Sequence, residues 1–324
     1  MTAVRPEITD GLPTYAELLE RVDAPAGSIW GLFGDNDEIG ALNLLTPERV
    51  EQAARAVRRG AVFSLDFPIN AFPTPSRPAA EHTVIEMATD WRDDSLDGFY
   101  LQQTTQIDGL RHVRHTEHGF YGGVDPERVR AGDPTNGVGV WADRGIVGRG
   151  VLVDVARHRV AQGHPLDHAA GEPITPEQLD ETLAAQGTEL APGDMVLLRT
   201  DYPRHLRDHG SLEGAHPHAG LVQSHEMLAW LWDQRVPLVA ADNFAVECIP
   251  RVAGSPLAAG DALGGGLLHP HLIALLGMVV GELWKLDDLA DDCAADGVYE
   301  CMLVVKPLNL VGGVGSPANA TAIK

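Results

Sequence analysis

The apolar residues of this chain fall into short runs typical of buried strands, and segments with helix-start signals separate several of these runs. Five runs predict strands: AVFSLDF (61–67), VLVDVA (151–156), MVLLR (195–199), PLVAAD (237–242) and VYECMLVVKPL (298–308). The pairs Thr46-Pro47 and Thr175-Pro176 predict helix starts, because threonine caps a first turn and proline fits the first helical position. Helices are also predicted over 224–234 and, in a buried position, over 267–280.

Predicted strands and helices are mixed along the chain without a strict alternation. The sequence contains no internal repeat, and no linker divides it into two domains. We therefore predict a single α/β domain with a mixed β-sheet over residues 46–324. Residues 1–45 contain turn formers but also the apolar stretch WGLFGDNDEIGALNLL, so they predict an ordered N-terminal arm. Residues 68–100 are rich in proline, threonine, aspartate and serine, which predicts a long irregular excursion.

The charge balance narrows the choice of partners. The chain has 324 residues, with 24 Lys and Arg against 46 Asp and Glu, for a formal net charge of -22. Such a surface repels nucleic-acid phosphates and anionic membranes, so neither is an expected partner. The three cysteines have no CxxC spacing, which argues against a disulfide framework and a cysteine zinc cluster. Without an apolar run of membrane-spanning length or a signal-peptide pattern, we expect a soluble cytoplasmic protein.

Histidines carry the clearest chemical signal, in two places. The first is QIDGLRH (106–112), in which Asp108 stands four residues before His112. The second is His269, on an otherwise apolar segment that ends near Glu282. Buried histidines and carboxylates need partners, so these residues are either parts of one site or a satisfied core histidine and an unrelated ion pair. The GxSxG, HExxH and P-loop signatures are absent.

Four sequence blocks, in this order, resemble the cyclase family of metal-dependent hydrolases, which includes the bacterial kynurenine formamidases and isatin hydrolases. They are GDNDEIGALNLLTPERV (34–50), TTQIDGLRHVRH (104–115) with GFYGG (119–123), LHPHLIALLGMVVGELWKLDDLA (268–290) and PLNLVGGVGSPANATAI (307–323). The chain is most similar to the longer branch of that family. The resemblance implies a compact α/β domain in a swivelling β/β/α arrangement. It also implies a homodimer or homotetramer whose N-terminal segments help to build the neighbouring site.

The family hallmark is His-x-Gly-Thr-His-x-Asp-x-Pro-x-His. In the family, the first two histidines and the aspartate hold metal, and the last histidine handles protons. With Asp108 as the anchor, the first two histidines fall on Gln102 and Gln106. Thr105 keeps the threonine, and His112 keeps the last histidine. The resemblance therefore covers the aspartate and the proton carrier but not the two hallmark imidazoles.

The downstream histidine and glutamate of the formamidases match His269 and Glu282, with a gap of one residue in the helix between them. Gln102 and Gln106 remove two imidazoles from the site, and an amide oxygen is a weaker and harder ligand. Three outcomes are open: one metal held by Asp108, His269 and Glu282 with help from Gln106, a preference for manganese or magnesium over zinc, or no metal. We expect a retained divalent metal ion, zinc or manganese.

The resemblance implies a hydrolase that cleaves an amide, a cyclic amide or a lactone at its carbonyl, with kynurenine formamidase-like activity. The metal ion would activate water, His112 would be the general base, and Asp108 and Glu282 would take part in catalysis as ligands. The expected partner is a small carbonyl substrate, with the pocket candidates Trp30, Gln102, Phe120, Tyr121 and Asp242. Two alternatives stay open: a biosynthetic cyclase or dehydratase of the same fold, and a metal-free, non-catalytic binding relative.

Overall fold

The structure, a computed structural model, describes residues 11–209, 216–257 and 265–324. The strands in these ranges are β1 (Val62–Ser64), β2 (Glu81–Ala88), β3 (Trp91–Asp97), β4 (Gln106–Asp108), β5 (Ile146–Asp154), β6 (Pro173–Ile174), β7 (Met195–Arg199), β8 (Gly220–Leu221), β9 (Leu238–Ala241), β10 (Val279–Glu282), β11 (Glu300–Val305), β12 (Gly315–Pro317) and β13 (Ala320–Ile323). The α-helices are α1 (Tyr15–Leu19), α2 (Pro47–Ala56), α3 (Val138–Arg144), α4 (Val155–Ala161), α5 (Pro176–Gln186), α6 (Tyr202–His209), α7 (His225–Asp233) and α8 (Asp287–Asp296). Across the described ranges, each helix is too short or too polar to traverse a lipid bilayer.

The main sheet has, among the described residues, nine strands in the order β1-β13-β11-β5-β7-β9-β10-β4-β12. Its centre, β5-β7-β9-β10, is parallel, whereas the strands on both sides of this centre pair antiparallel. All residues of β7, β9 and β10 are buried, as expected for parallel strands that form continuous apolar runs. The predicted single α/β domain with a mixed sheet is therefore confirmed.

Both threonine-proline pairs start helices as predicted. Helix α2 begins at Pro47, and α5 begins at Pro176 after the cap residue Thr175. At the second start, the Thr175 backbone N–H donates to the Gln178 side-chain oxygen at 2.9 Å, which is one half of a capping box. These signals are reliable here because they act within a single helical turn.

The described part of the predicted N-terminal arm, residues 11–45, packs onto the domain of its own chain. Leu18 is fully buried. The Tyr15 backbone N–H donates to the Asp233 carboxylate at 2.7 Å, and the Ala41 N–H donates to the Gly277 carbonyl at 2.8 Å. Residues 1–10 lie outside the described residues, and a role of the arm in a neighbouring subunit stays a prediction.

The irregular excursion predicted over residues 68–100 is wrong in its middle, where β2 and β3 form an antiparallel hairpin. Its side chains are exposed on both faces, and Trp91 has an exposed fraction of 73%. Because neither face is buried, the hairpin lacks the alternation of apolar and polar residues that identifies a half-buried strand.

The expected homodimer or homotetramer stays a prediction.

The buried helix predicted over residues 267–280 is only partly correct. Pro270–Leu275 form a π-helix, and the chain then enters β10. An apolar run of this kind does not distinguish a buried helix from a buried parallel strand by its pattern alone. Gly277, with φ at +54°, lies in the turn between the two elements.

Candidate metal centre

A pair of antiparallel strands positions three of the polar side chains. β4 pairs with β10, so that Gln106 lies opposite Glu282 and Asp108 lies opposite Val280. Side chains alternate along a strand, and therefore Gln106, Asp108 and Glu282 project from the same face. His269 immediately precedes the π-helix, which packs against β10. The fold thus joins residues that stand as far as 176 positions apart in the sequence.

Asp108, His269 and Glu282 form, among the described residues, a group whose ligand atoms all lie within 4.8 Å of one another. The His269 Nε2 atom is 3.1 Å from Oε1 of Glu282 and 3.9 Å from Oδ2 of Asp108. All three residues are buried, Asp108 completely. One imidazole and two carboxylates are a ligand set that can hold a divalent metal ion.

Three buried oxygens at this group lack a hydrogen-bond donor among the described residues. They are both carboxylate oxygens of Asp108 and Oε1 of Gln106. The Gln106 Nε2 group donates to Glu282, which leaves the amide oxygen free. A buried polar atom without a partner is costly, and a cation held by the Asp108 carboxylate would satisfy its oxygens. The residues present therefore fit a divalent metal ion.

Glu247 holds His269 in place, whereas the sequence analysis chose Asp242 from the same acidic turn as the site candidate. Its Oε1 lies 2.6 Å from Nδ1 of His269 and accepts the His269 backbone N–H at 3.1 Å, while its Oε2 accepts the Leu268 N–H at 2.7 Å. A carboxylate on Nδ1 fixes the ring and leaves Nε2 for a metal ion. The available signal was an acidic residue in the turn after PLVAAD, where Asp242 is the more obvious choice because it directly follows the strand.

Burial and the neighbouring charged groups shift the pKa values of Asp108 and His269 in opposite directions. Burial raises the pKa of the Asp108 carboxyl to about 6, although the neighbouring charge of His112 lowers it in part. Burial alone would lower the pKa of His269, but its hydrogen bonds to Glu247 and Glu282 raise that pKa well above the ordinary histidine value. Glu247 and Glu282 therefore favour a positive charge on the His269 imidazole.

His112 borders the metal group on the solvent side. Its Nδ1 lies 3.7 Å from Oδ1 of Asp108, and its side chain is 23% exposed, whereas that of Asp108 is fully buried. The ring of His115 instead stacks on His118 with centroids 4.8 Å apart, and its Nδ1 accepts the Glu117 N–H at 3.3 Å.

Three of the pocket candidates lie together on the loops before α3. Trp30 and Tyr121 meet edge to face with ring centroids 6.4 Å apart, and they line a cavity of about 360 Å³. The Tyr121 hydroxyl donates to Asp37 at 2.7 Å, which holds the ring in this cavity wall. Phe120 precedes Tyr121 and is half-buried. The lining of this cavity also includes Arg21 and Asp23 but none of Asp108, His269 and Glu282, so a role of the aromatic residues in substrate binding stays a prediction.

The other two pocket candidates, Gln102 and Asp242, lie in different parts of the fold. Gln102 lies beside β12, where its Nε2 is 2.5 Å from the point at which a Cβ would stand on Gly315. The carboxylate of Asp242 accepts the Thr200 N–H at 2.8 Å, the Thr200 hydroxyl at 2.6 Å and the Asp201 N–H at 2.8 Å. The hydrogen-bonding capacity of Asp242 is thus used inside the protein, and the structure does not bring it into the ligand group.

Comparison with known proteins agrees with this architecture. The family model described as "Putative cyclase" matches residues 63–248, more than half of the chain. The crystal structure of a novel cyclase is 34% identical, with a TM-score of 0.79, and the match covers 92% of this chain and 99% of that one. No curated protein matches the chain.

Two isatin hydrolases share the fold at lower identity. Isatin hydrolase A from Labrenzia aggregata is 17% identical, with a TM-score of 0.51, over 83% of this chain and 94% of that one. Isatin hydrolase A from Ralstonia solanacearum is 18% identical, with a TM-score of 0.51, over 86% and 97% of the two chains. The family-model match over more than half of the chain and the 34% identity to a solved cyclase across 92% of it show that this chain belongs to the cyclase family.

Proposed function

We propose that this protein is a metal-dependent hydrolase that cleaves an amide, a cyclic amide or a lactone at its carbonyl. The observation that carries the proposal is the convergence of buried ligand atoms from Asp108, His269 and Glu282, all within 4.8 Å of one another, with both Asp108 oxygens lacking a donor among the described residues. A binding protein without metal would have to leave these oxygens unsatisfied, which proteins generally avoid.

The ligand chemistry favours manganese as the metal ion. Carboxylate oxygens outnumber imidazole nitrogens in the group formed by Asp108, Glu282 and His269, and Gln106 hydrogen-bonds to Glu282 beside it. Oxygen-rich sets suit manganese or magnesium, whereas zinc is usually held by imidazole and thiolate. When bound, a divalent metal ion would polarise the substrate carbonyl and acidify water.

The protein's own groups have separate tasks in this proposal. Asp108, Glu282 and His269 hold the ion, and Glu247 keeps the His269 ring oriented through Nδ1. His112 takes a proton from the attacking water and returns it to the leaving nitrogen or oxygen, because imidazole can do both near neutral pH. Its partial exposure beside Asp108 gives it access to water and to the buried ligands.

The test is metal content and hydrolysis measured on the same purified protein. Protein loaded with manganese, magnesium or zinc is assayed against isatin, aryl formamides and lactones, and its metal is determined by elemental analysis. We expect near-stoichiometric metal, hydrolysis of at least one of these classes, and the highest turnover with manganese. His112→Ala should keep the metal and lose turnover by about 100-fold or more.

The matched control is His164→Ala, which removes an exposed histidine from the loop after α4. It should leave both metal content and turnover unchanged. Metal-free protein after loading would defeat the proposed function. Turnover in His112→Ala equal to that of the wild type would remove His112 from the mechanism.

A further inference from the structure

Arg77 is a half-buried arginine on the loop that precedes the β2–β3 hairpin. Its backbone is pinned to Thr74, since the Arg77 N–H donates to the Thr74 carbonyl at 3.1 Å and the Thr74 N–H donates to the Arg77 carbonyl at 3.0 Å. The Thr74 hydroxyl also accepts from the Arg77 N–H at 3.1 Å. These hydrogen bonds fix the backbone of Arg77 in the loop, and no charged partner of its side chain is needed for that.

The fold places Arg77 beside the metal group through two intermediate residues. Asp108 and Gly315 are register partners on β4 and β12. The Gln102 side chain lies over Gly315, within 2.5 Å of where a Cβ would be. One guanidinium nitrogen of Arg77 donates to the Gln102 backbone carbonyl. These links place Arg77 on the β12 side of Asp108, and the Arg77 charge is one of those that act on the Asp108 carboxylate.

Most of the Arg77 guanidinium has no partner among the described residues. NH1 donates to Gln102, while Nε and NH2 make no hydrogen bond or ion pair with any described residue. Two other half-buried arginines of this acidic chain are paired with carboxylates, Arg149 with Asp194 at 2.5 Å and Arg159 with Glu172 at 2.7 Å. A free guanidinium fork next to a metal group is a recognition element for a planar anion.

We propose that Arg77 is a specificity-determining residue that binds a carboxylate carried by the substrate, at a position separate from the bond that is cleaved. The inference rests on the proposed function and adds the substrate class: small amides, cyclic amides or lactones that bear a free carboxylate. Two of the N–H groups of Arg77 are available for the two oxygens of that carboxylate.

The charge around the site makes such a group necessary for an anionic substrate. The chain has a formal net charge of -22, and three carboxylates, those of Asp108, Glu247 and Glu282, surround His269. An anion that approaches this surface is repelled. Among the groups that act on the Asp108 carboxylate, Arg77 is the permanent cation, because the others are histidines and Glu282. A carboxylate-bearing substrate therefore gains its favourable contact at Arg77.

A matched pair of small probes tests the proposal by binding. Benzoate and benzamide differ in charge but have nearly the same shape, and their affinities for the manganese-loaded protein are measured by isothermal titration calorimetry. We expect the wild type to prefer benzoate. Arg77→Met should weaken benzoate binding about tenfold or more and leave benzamide unchanged, whereas Arg77→Lys should lie between the two. Arg114→Met, which removes an exposed arginine near His112, is the control and should change neither affinity.

A second readout uses hydrolysis of 2-formamidobenzoate and of its neutral carboxamide. Arg77→Met should raise KM for the carboxylate and leave the carboxamide reaction as in the wild type. Equal benzoate affinity in the wild type and Arg77→Met, equal losses in Arg77→Met and Arg114→Met, or no preference for benzoate in the wild type would overturn the inference. Failure of the proposed function is distinguishable, because it would abolish metal content and hydrolysis of both substrates in the wild type.

Discussion

Two clusters of buried charged side chains lie near each other in this fold, and they differ in how their polar atoms are satisfied. In the Arg199 network, at the ends of β7 and β9, Arg199 donates to Asp154 at 3.0 Å, to Asp201 at 2.7 Å and to Asp287 at 2.8 Å. Asp242 in the same network accepts three hydrogen bonds. In the metal group, both oxygens of Asp108 lack a donor among the described residues.

The difference separates a structural network from a ligand-binding one. A cluster that satisfies its own donors and acceptors has no capacity left for a ligand, and it stabilises the fold. A cluster with partnerless buried oxygens costs stability unless something else satisfies them. Asp242 ends a predicted strand and Asp108 lies in a polar stretch, but neither local pattern shows which carboxylate is left without partners. Only the count of hydrogen-bond partners does.

The largest expected effect is at Asp108. Asp108→Asn should lose most of the bound metal and reduce turnover by about 1000-fold or more, because a catalytic metal loses a charged ligand. The metal-free variant should unfold at the same or a higher denaturant concentration than the metal-free wild type, since a buried carboxylate without a donor is gone. Elemental analysis, turnover and urea unfolding provide the three readouts.

Asp93→Asn, an exposed change on the hairpin, is the control and should behave as wild type. If the metal-free Asp108→Asn protein were less stable than the metal-free wild type by several kcal/mol, the Asp108 carboxylate would be a structural group and the contrast between the clusters would fail.

A substitution at Asp242 should lower the stability of the protein and leave metal binding intact, the opposite of Asp108→Asn. Asp242→Ala leaves two backbone N–H groups and the Thr200 hydroxyl without an acceptor, and it should lower the free energy of unfolding by about 3–5 kcal/mol. Folded variant protein should still bind metal. Urea unfolding measures the loss, and Asp287→Ala, at a partly exposed partner of Arg199, should cost only about 1 kcal/mol or less. If folded Asp242→Ala lost its metal, the two clusters would act as one site and the contrast between them would fail.

Glu247 tests whether the metal group depends on its supporting carboxylate. Glu247→Gln keeps the shape but weakens the hold on Nδ1 of His269, and we expect metal affinity to fall about 10- to 100-fold. Competition with a fluorescent chelator measures this affinity. The exposed Glu181→Gln on α5 is the matched control. Unchanged affinity in Glu247→Gln would show that backbone geometry alone positions His269.

The smallest effect concerns pH and His168, which supports the Arg199 network. Its Nε2 lies 3.0 Å from the Thr200 carbonyl and its Nδ1 accepts the Ala219 N–H at 3.2 Å, while burial lowers its pKa from 6.5 to about 4. Below pH 6.5 the unfolded chain takes up a proton that the folded chain excludes, so the His168 contribution to stability is full above pH 6.5 and is lost towards pH 4.

Replacement by a residue that does not titrate isolates this contribution. The difference in unfolding free energy between the wild type and His168→Gln should be largest at pH 8 and should shrink as the pH falls to 4.5. Denaturant unfolding at several pH values measures it. A difference that stays constant over this range would mean that His168 does not titrate in this window.

Several features were predictable because they depend on a few neighbouring residues. The Thr-Pro pairs at 46–47 and 175–176 mark two helix starts, and continuous apolar runs identified the parallel strands β7 and β9. The exposed hairpin was not predictable, because its pattern lacks a buried face. The run over 267–280 contains both a π-helix and a strand, since complete burial removes the periodicity that would separate them.

The sequence by itself determined the chemistry that is available: an acidic surface, the Asp108 and His112 pair, and a second pair in His269 and Glu282. The tertiary structure decided which of these groups meet. Strand pairing brings Gln106 opposite Glu282 across 176 positions, the turn after β9 gives the supporting role to Glu247, and the loop at Thr74 brings Arg77 to the rim. Such contacts depend on strand register and on the satisfaction of buried polar atoms, which are properties of the folded chain as a whole.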